Sequence, residues 1–296
     1  MNIPLVSIIS INYNQAQVTC DMVASLLRVT YPRIEIIVVD NASPAGDADV
    51  IRQQFPQVQL LKSGENLGFA GGNNIGIAAA KGEYLLFLNN DTEVEPGFLE
   101  PLVEMFQRHS TVGIASPKIL YYDAKDVIQY AGSRGINSWT GRSITIGHLE
   151  PDLGQHNHSH PTQLADGAAM MVPRRVIEAV GPMPEVYFLY YEELDWCEAI
   201  KRAGYLCYYV AGSTVYHKES VSVGKHSVLK TYYMNRNRLL FIRRNSHGWA
   251  RWTSTLVFLA AALPKKALQH SLHREWPHLR ALGRGLSWHW QHPHAG

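Results

Sequence analysis

The sequence predicts an α/β fold, a mostly parallel central sheet flanked by helices, followed by a helical tail rich in basic and aromatic residues. Three observations predict it. Up to about residue 120, short β-branched runs alternate with helical stretches. Two of those runs end on a carboxylate: Ile34–Val39 stops at Asp40, and Tyr84–Leu88 runs into Asn89-Asn90-Asp91. Beyond residue 240 the composition changes, with eight Lys or Arg against Glu275 alone and five of the chain's seven tryptophans.

The elements follow in order. Leu5–Ile11 reads as the first strand, because it is too short and too β-branched for a signal sequence and no charged segment precedes it. A helix runs through Val23, Leu26 and Leu27, then come the strand Ile34–Val39 and a turn from Asn41 to Gly46. A helix around Val50–Phe55, a strand at Val58–Leu61, a glycine-rich helix over residues 68–80 and the strand Tyr84–Leu88 complete a βαβαβαβ pattern. A helix at Phe98–Phe106 and a strand at Val112–Ser116 extend it.

Residues 132–165, rich in Gly, Ser, His and Asn, read as an exposed loop. The apolar pattern resumes at Ala168–Val172, followed by helices at Arg174–Ala179 and Leu194–Ala203 and the strand Leu206–Val210, which leads to His217. Gly204 is placed to cap the second of those helices. Thr255–Leu263 is apolar but far short of the roughly 20 residues that span a bilayer, so it predicts an interfacial helix. Absence of an internal repeat excludes a solenoid.

Composition sets further bounds. At 296 residues and 46% apolar content the chain has ample material for a core. Three widely spaced cysteines without a CxxC pair suggest neither a disulfide framework nor a zinc site, and fit a reducing compartment. The domains predicted are residues 1–240, with a nucleotide-binding half (1–120) and an acceptor or catalytic half (121–240), and a tail at 241–296. The overall charge of +2 conceals a tail of +7 against −5 for the rest. Basic residues mixed with Trp and Leu suit an anionic membrane surface. Nucleic acid is not an expected partner, since no recognised motif accompanies the basic strip.

Two strands that each end on an Asp place two carboxylates at the sheet edge where open α/β folds bind ligands. A nucleotide diphosphate held through a divalent cation would use such an edge, because a hard cation takes oxygen ligands. Asp91 alone could cap the helix after Pro96; its pairing with Asp40 favours a ligand site. Glu192, Glu193 and Asp195 open a helix, where they either complement its dipole or supply a base. Gly68–Gly76 lacks GxGxxG spacing, so either close helix packing or a nucleotide contact accounts for it. Asp166 precedes a glycine, as turn aspartates do. Arg236 and Asn237 fall on a helix whose basic face could simply be solvated.

The ordered pieces Val6–Asn14, Val38–Ser43, Asn66–Gly76, Leu88–Val94, Asp166–Ala168 and Tyr191–Asp195 resemble family 2 glycosyltransferases of the GT-A fold. The likeness is greatest to rhamnosyltransferase-type bacterial members. It implies that Asp40 binds the nucleoside with Asn14 nearby, and that Asn74 faces the same pocket. Asp91 becomes a metal ligand, at the last position of an Asp-x-Asp motif whose first position is Asn89 here, with Asn90 between. His217 becomes a second ligand, Asp166 lies beneath donor sugar and acceptor, and Arg236 stands near the donor diphosphate. Glu193 takes the place of the usual aspartate base, with Asp195 as the alternative.

The resemblance implies an inverting transfer from a nucleotide diphosphate sugar (dTDP- or UDP-linked, with rhamnose suggested) to a glycan or lipid-linked acceptor. A divalent cation, Mg or Mn, would assist. Cell-surface polysaccharide synthesis, in the cytoplasm and peripheral on the inner face of the cytoplasmic membrane, is the implied setting. A sugar-phosphate nucleotidyltransferase is the rival enzyme class, although Asn12–Gln17 is unlike the Gly-rich, Arg-containing loop it needs. A sugar-nucleotide-binding scaffold without turnover is the other rival, for which Asn89 and Glu193 are the hints.

Overall fold

Alternation of apolar runs and helices resolves into a sheet with helices on its faces. The structure, a computed structural model, describes residues 3–44, 47–137, 140–218 and 226–295. Ala45 and Gly46 of the expected turn, two residues of the expected loop (138–139) and the seven residues 219–225 after Lys218 lie outside the described residues.

The first half follows the expected pattern. β1 (Val6–Asn12), α1 (Ala16–Leu26), β2 (Ile34–Asp40), α2 (Asp49–Gln54), β3 (Gln59–Lys62), α3 (Gly68–Ala79) and β4 (Tyr84–Leu88) form three helical crossovers between parallel strands, in spatial order β4-β1-β2-β3. The register sets Asn12 opposite Asp40, so both polar side chains emerge at one sheet edge. Ile8, Ile9, Ile37, Val38, Leu86 and Phe87 are fully or almost fully buried between the helical layers. α3 comes unusually close to β1, because a Cβ on Gly76 would lie 2.3 Å from Ile9 Cγ2. Close packing therefore accounts for part of the glycine density there.

The second half extends the sheet from β4. After β5 (Thr92–Val94) and α4 (Leu99–Arg108) come β6 (Val112–Tyr121), β7 (Ala124–Tyr130), β8 (Ser133–Asn137), β9 (Arg142–Thr145), β10 (His160–Thr162) and β11 (Ala169–Pro173). Then follow α5 (Arg174–Val180), α6 (Glu192–Arg202) and β12 (Leu206–His217). β11 runs antiparallel between β4 and β6, and β12 pairs parallel with β6 and antiparallel with β5 and β10. Gly204 does follow α6, with φ +89° and its N–H on the Lys201 carbonyl at 3.0 Å.

Residues 132–165 depart from expectation. They hold the β8–β9 hairpin and β10, which joins the sheet edge. Their order comes from polar groups: Thr162 Oγ1 accepts from the Ser133 N–H at 2.6 Å and donates to the Ser133 carbonyl at 3.0 Å. Such strands lack the apolar alternation that announces a strand in sequence.

The C-terminal region is helical, as expected: α7 (Val228–Asn245), α8 (Gly248–Val257), a short π-helical stretch (Phe258–Ala262), α9 (Leu263–Leu272) and α10 (Trp276–Gln291). α7 runs unbroken past residue 240. α10 docks on it through Trp288, which the Arg236 guanidinium faces at 4.6 Å, and through His289, whose Nε2 lies 2.9 Å from the Arg236 carbonyl. Trp249, Trp252, Trp276 and Trp290 remain exposed. Among the described residues no helix is long and apolar enough to cross a membrane.

Candidate active site

Two adjoining depressions open at the carboxyl edge of the sheet. A cleft of about 440 Å³ is lined by Ile11, Tyr13, Asn41, Asn66 and Asp91 among others, and a cavity of about 640 Å³ by Asp166, Glu192, Glu193 and Arg238 among others. Asn89, Tyr190, His217 and Lys230 line both, so the two are continuous.

The cleft is organised by amides. Asp40 is 5% exposed and sits one residue behind the cleft wall, where Asn12 Nδ2 donates to its Oδ1 at 2.9 Å. Asn12 Oδ1 accepts from Thr19 Oγ1 at 2.8 Å, and Asn90 Nδ2 reaches the same hydroxyl at 3.0 Å. One buried network thus joins the ends of β2 and β4. The next residue, Asn41, donates to Gly68 O at 2.9 Å and accepts from Leu67 N–H at 2.9 Å, which fixes the start of α3 against the cleft. Gly68 itself requires glycine, with φ +70° and the Phe188 carbonyl only 2.1 Å from where a Cβ would stand.

Strand pairing brings Asp91 and His217 together. β5 and β12 pair with Thr92 opposite His217, and Lys218 N–H donates to the Asp91 carbonyl at 2.9 Å. His217 Nε2 lies 3.1 Å from Asp91 Oδ1, and its Nδ1 lies 2.9 Å from Gln129 Oε1 on β7. With Nδ1–H donated to that oxygen, Nε2 of a neutral ring turns a lone pair toward the carboxylate. Two facing lone pairs are satisfied by a proton or a cation between them, and an oxygen-plus-imidazole pair suits Mn or Mg completed by phosphate oxygens. The residues therefore fit a divalent cation as a pair. No group of three or more His, Cys, Asp or Glu converges among the described residues, so the remaining ligands would come from substrate and water.

The first turn of α6 supplies the carboxyl groups of the cavity. Glu193 is half-buried against Gly167, whose Cβ position would be 3.4 Å from Glu193 Cγ. Burial pushes its carboxyl up to about 7, with the Asp166 charge adding to the rise. Glu192 is 3% exposed with Oε2 unpaired, and burial drives it well above the carboxylate range. Asp166 lines the same cavity, its Oδ1 accepting from Ala168 N–H at 2.9 Å.

Four expected residues take other positions. Asp195 faces away from the cavity, held by Arg244 Nε at 3.0 Å and by the Asn245 amide, since residues two apart on a helix point to different sides. Arg236 is buried behind a loop, donating through one guanidinium nitrogen to Val186 O at 2.7 Å and Tyr187 O at 2.6 Å. Asn74 pins the backbone before that loop, donating to Met183 O and accepting from Met183 N–H, both at 3.0 Å. Asn14 is exposed in a left-handed conformation (φ 56°), and Tyr13 lines the cleft in its place.

That loop is a feature the sequence did not announce. Phe188, Tyr190 and Tyr191 all have positive φ (64°, 69° and 79°), and each costs of order 1–3 kcal/mol. Asn237, fully buried, offsets this with contacts of 2.7–3.0 Å to the carbonyls of Tyr187, Leu189 and Tyr190. The loop then forms the partition between cleft and cavity. Lys230, Arg142 and Lys266 were also missed; they reach the site from segments far apart in the chain.

Comparison with known proteins shows the family and the fold. A family model described as glycosyl transferase family 2 matches residues 7–181. The N-acetylglucosaminyl-diphospho-decaprenol L-rhamnosyltransferase of Mycobacterium tuberculosis is 24% identical over 90% of this chain and 95% of its own. A mannosyltransferase of Pyrobaculum calidifontis, solved with GDP-Man and Mn2+, superposes with a TM-score of 0.59 at 18% identity, covering 98% of this chain and 87% of that one. GalNAc-T7, solved with UDP, GalNAc and Mn2+, gives 0.62 at 18% identity over 84% and 52%. The two structural likenesses establish a shared fold.

Proposed function

The chain belongs to glycosyl transferase family 2, and from that premise we propose that it moves one sugar, with inversion, from a nucleotide diphosphate donor to a hydroxyl of a glycan or lipid-linked acceptor. The observation that carries this reading is the placement of Glu193 and His217 on the wall of one cavity, which opens into the cleft holding Asp91. A base and a diphosphate anchor then flank one reacting carbon.

In this reading the cleft at the end of β2, walled by Asn41 with Asp40 behind it, receives the nucleoside, and Asp91 with His217 holds a divalent cation, Mg or Mn. Such a cation, when bound, supplies charge compensation for the departing diphosphate. Asn89, at the junction of cleft and cavity, stands beside donor sugar and phosphate, and Asp166 beneath them. Lys230 adds positive charge to the same junction. Glu193 accepts the proton of the acceptor hydroxyl as the oxygen attacks the anomeric carbon opposite the leaving group. One displacement inverts the centre and needs no enzyme nucleophile.

A dTDP-sugar or UDP-sugar donor is proposed, with rhamnose favoured by the M. tuberculosis relative's name. Cell-surface polysaccharide synthesis at the inner membrane face is the proposed setting. Trp249, Trp252 and Leu256 form an exposed stripe on α8, and basic residues near it suit anionic headgroups. The test is a panel of nucleotide diphosphate sugars with Mn2+, supplied with a prenyl-diphosphate glycan, comparing wild type with Glu193→Ala. Donor consumption with product of inverted configuration supports the reading; equal turnover in both proteins refutes the assignment of the base.

A further inference from the structure

Three cations from three distant segments converge on the acceptor side of the site. Arg142 comes from β9, Arg238 from α7 and Lys266 from α9; all three line the cavity that holds Glu193, and none lines the cleft that holds Asp91. Among the described residues no carboxylate forms an ion pair with any of them. Of the carboxyl groups that share the cavity, Glu192 and Glu193 do little to neutralise them, because burial pushes both toward their protonated forms, which leaves Asp166 against three cations.

Arg238 is the anchor of the cluster. It is 3% exposed, one terminal nitrogen donates to the Thr140 carbonyl, and its guanidinium faces the Phe258 ring at 4.9 Å. Its Nε is nevertheless buried without a partner. Among the described residues Lys266 Nζ meets only the Asn235 amide oxygen, at 3.2 Å, and burial together with Arg142 and Arg238 lowers it to about 8. Buried positive charge without a counterion is costly, and leaving a donor unmade adds to that cost. A multiply charged anion arriving in the cavity would supply the missing counter-charge.

We propose that Arg142, Arg238 and Lys266 form a subsite for a diphosphate carried by the acceptor, separate from the place of the donor's diphosphate. The proposal rests on the glycosyltransferase reading. Two guanidinium groups and an ammonium match the oxygens of a diphosphate better than a single carboxylate or halide, because guanidinium binds such oxygens in a bidentate fork.

Calorimetric titration of the full chain in EDTA tests this, with inorganic pyrophosphate and farnesyl diphosphate as probes and Arg142→Ala/Lys266→Ala as the variant. Arg142 is exposed and Lys266 half-buried, so the variant spares the core; circular dichroism checks its fold. Expected is binding of both probes to wild type, weakened at least about tenfold in the variant, with UDP affinity in Mn2+ unchanged within about twofold. Tighter farnesyl diphosphate binding identifies a prenyl-linked ligand, and equal affinities identify a free diphosphate. Equal probe binding by both proteins, no binding by wild type, or a parallel loss of UDP binding overturns the subsite. Failure of wild type to bind UDP would count against the transferase reading instead.

Discussion

Asn237 Nδ2 lies 2.7 Å from the Tyr190 carbonyl oxygen, so a fully buried amide on α7 holds a left-handed residue of the loop between cleft and cavity. Replacing it with Ala takes the amide donor from the Leu189 and Tyr190 carbonyls and leaves the strained backbone unsupported. Asn237→Ala is expected to cost about 2–4 kcal/mol, lowering the melting temperature by roughly 5–10 °C. Turnover should fall more than UDP affinity. A melting curve unchanged from wild type would show that the loop holds itself.

Glu193→Gln should reduce turnover by about 10²–10⁴ while leaving UDP binding intact. The pH profile of wild-type kcat should rise through about 7, where the carboxyl ionises. Stability should move oppositely. A carboxyl whose folded pKa is raised contributes stability below the ordinary carboxylate range and loses it as pH climbs through about 7. Glu193→Gln is therefore expected to melt higher than wild type at pH 8, with the gap closing toward pH 5, as thermal scans at both pH values would reveal.

The Asp91–His217 pair predicts cation dependence with a particular signature. Asp91→Asn and His217→Ala should abolish the Mn2+ enhancement of UDP affinity. Gln129→Leu, which touches only the far nitrogen of His217, should weaken Mn2+ by about 10–100-fold. Metal titrations followed by UDP fluorescence competition would measure this, and an unaltered Mn2+ response in Gln129→Leu would remove the orienting role assigned to that amide.

Asp195 serves the fold in this geometry. Its carboxylate is 3% exposed and bound by Arg244 and Asn245 across the α6–α7 interface. Asp195→Ala removes the carboxylate that Arg244 and Asn245 share and, because Arg244 is a third exposed, should cost about 1–3 kcal/mol. Activity per folded molecule should stay within a few-fold of wild type, determined by active-site titration with labelled UDP. A collapse of kcat in fully folded protein would restore Asp195 as a candidate base.

How legible the site was depended on where each residue's direction is set. Asp91 and Asn89 follow a buried strand, and a strand's end announces which edge it reaches. Glu193 and Asp195 stand two apart on a helix, at about 200° to one another, so no more than one could face the cavity; which one depended on where α7 would pack. Arg236 and Asn74 read as ligand contacts because both are polar and near the right motifs. Most of their partners are backbone carbonyls and an N–H of residues 183–187, and nothing local marks those as awaiting a bond. Arg142 and Lys266 were out of reach for another reason. They stand 124 positions apart, and only the folded β8–β9 hairpin and α9 bring them to one wall.

Lys266 and Phe258 change what a shortened protein would report. Removing everything after Ser246 to obtain a better-behaved protein, or to ask whether the last helices seek lipid, would also strip Arg238 of its aromatic neighbour and the cavity of a wall. Lost turnover in such a protein would then say nothing about where the enzyme resides. Changing Trp249 and Trp252 to Ser separates the two effects, because both side chains point outward from an otherwise intact enzyme.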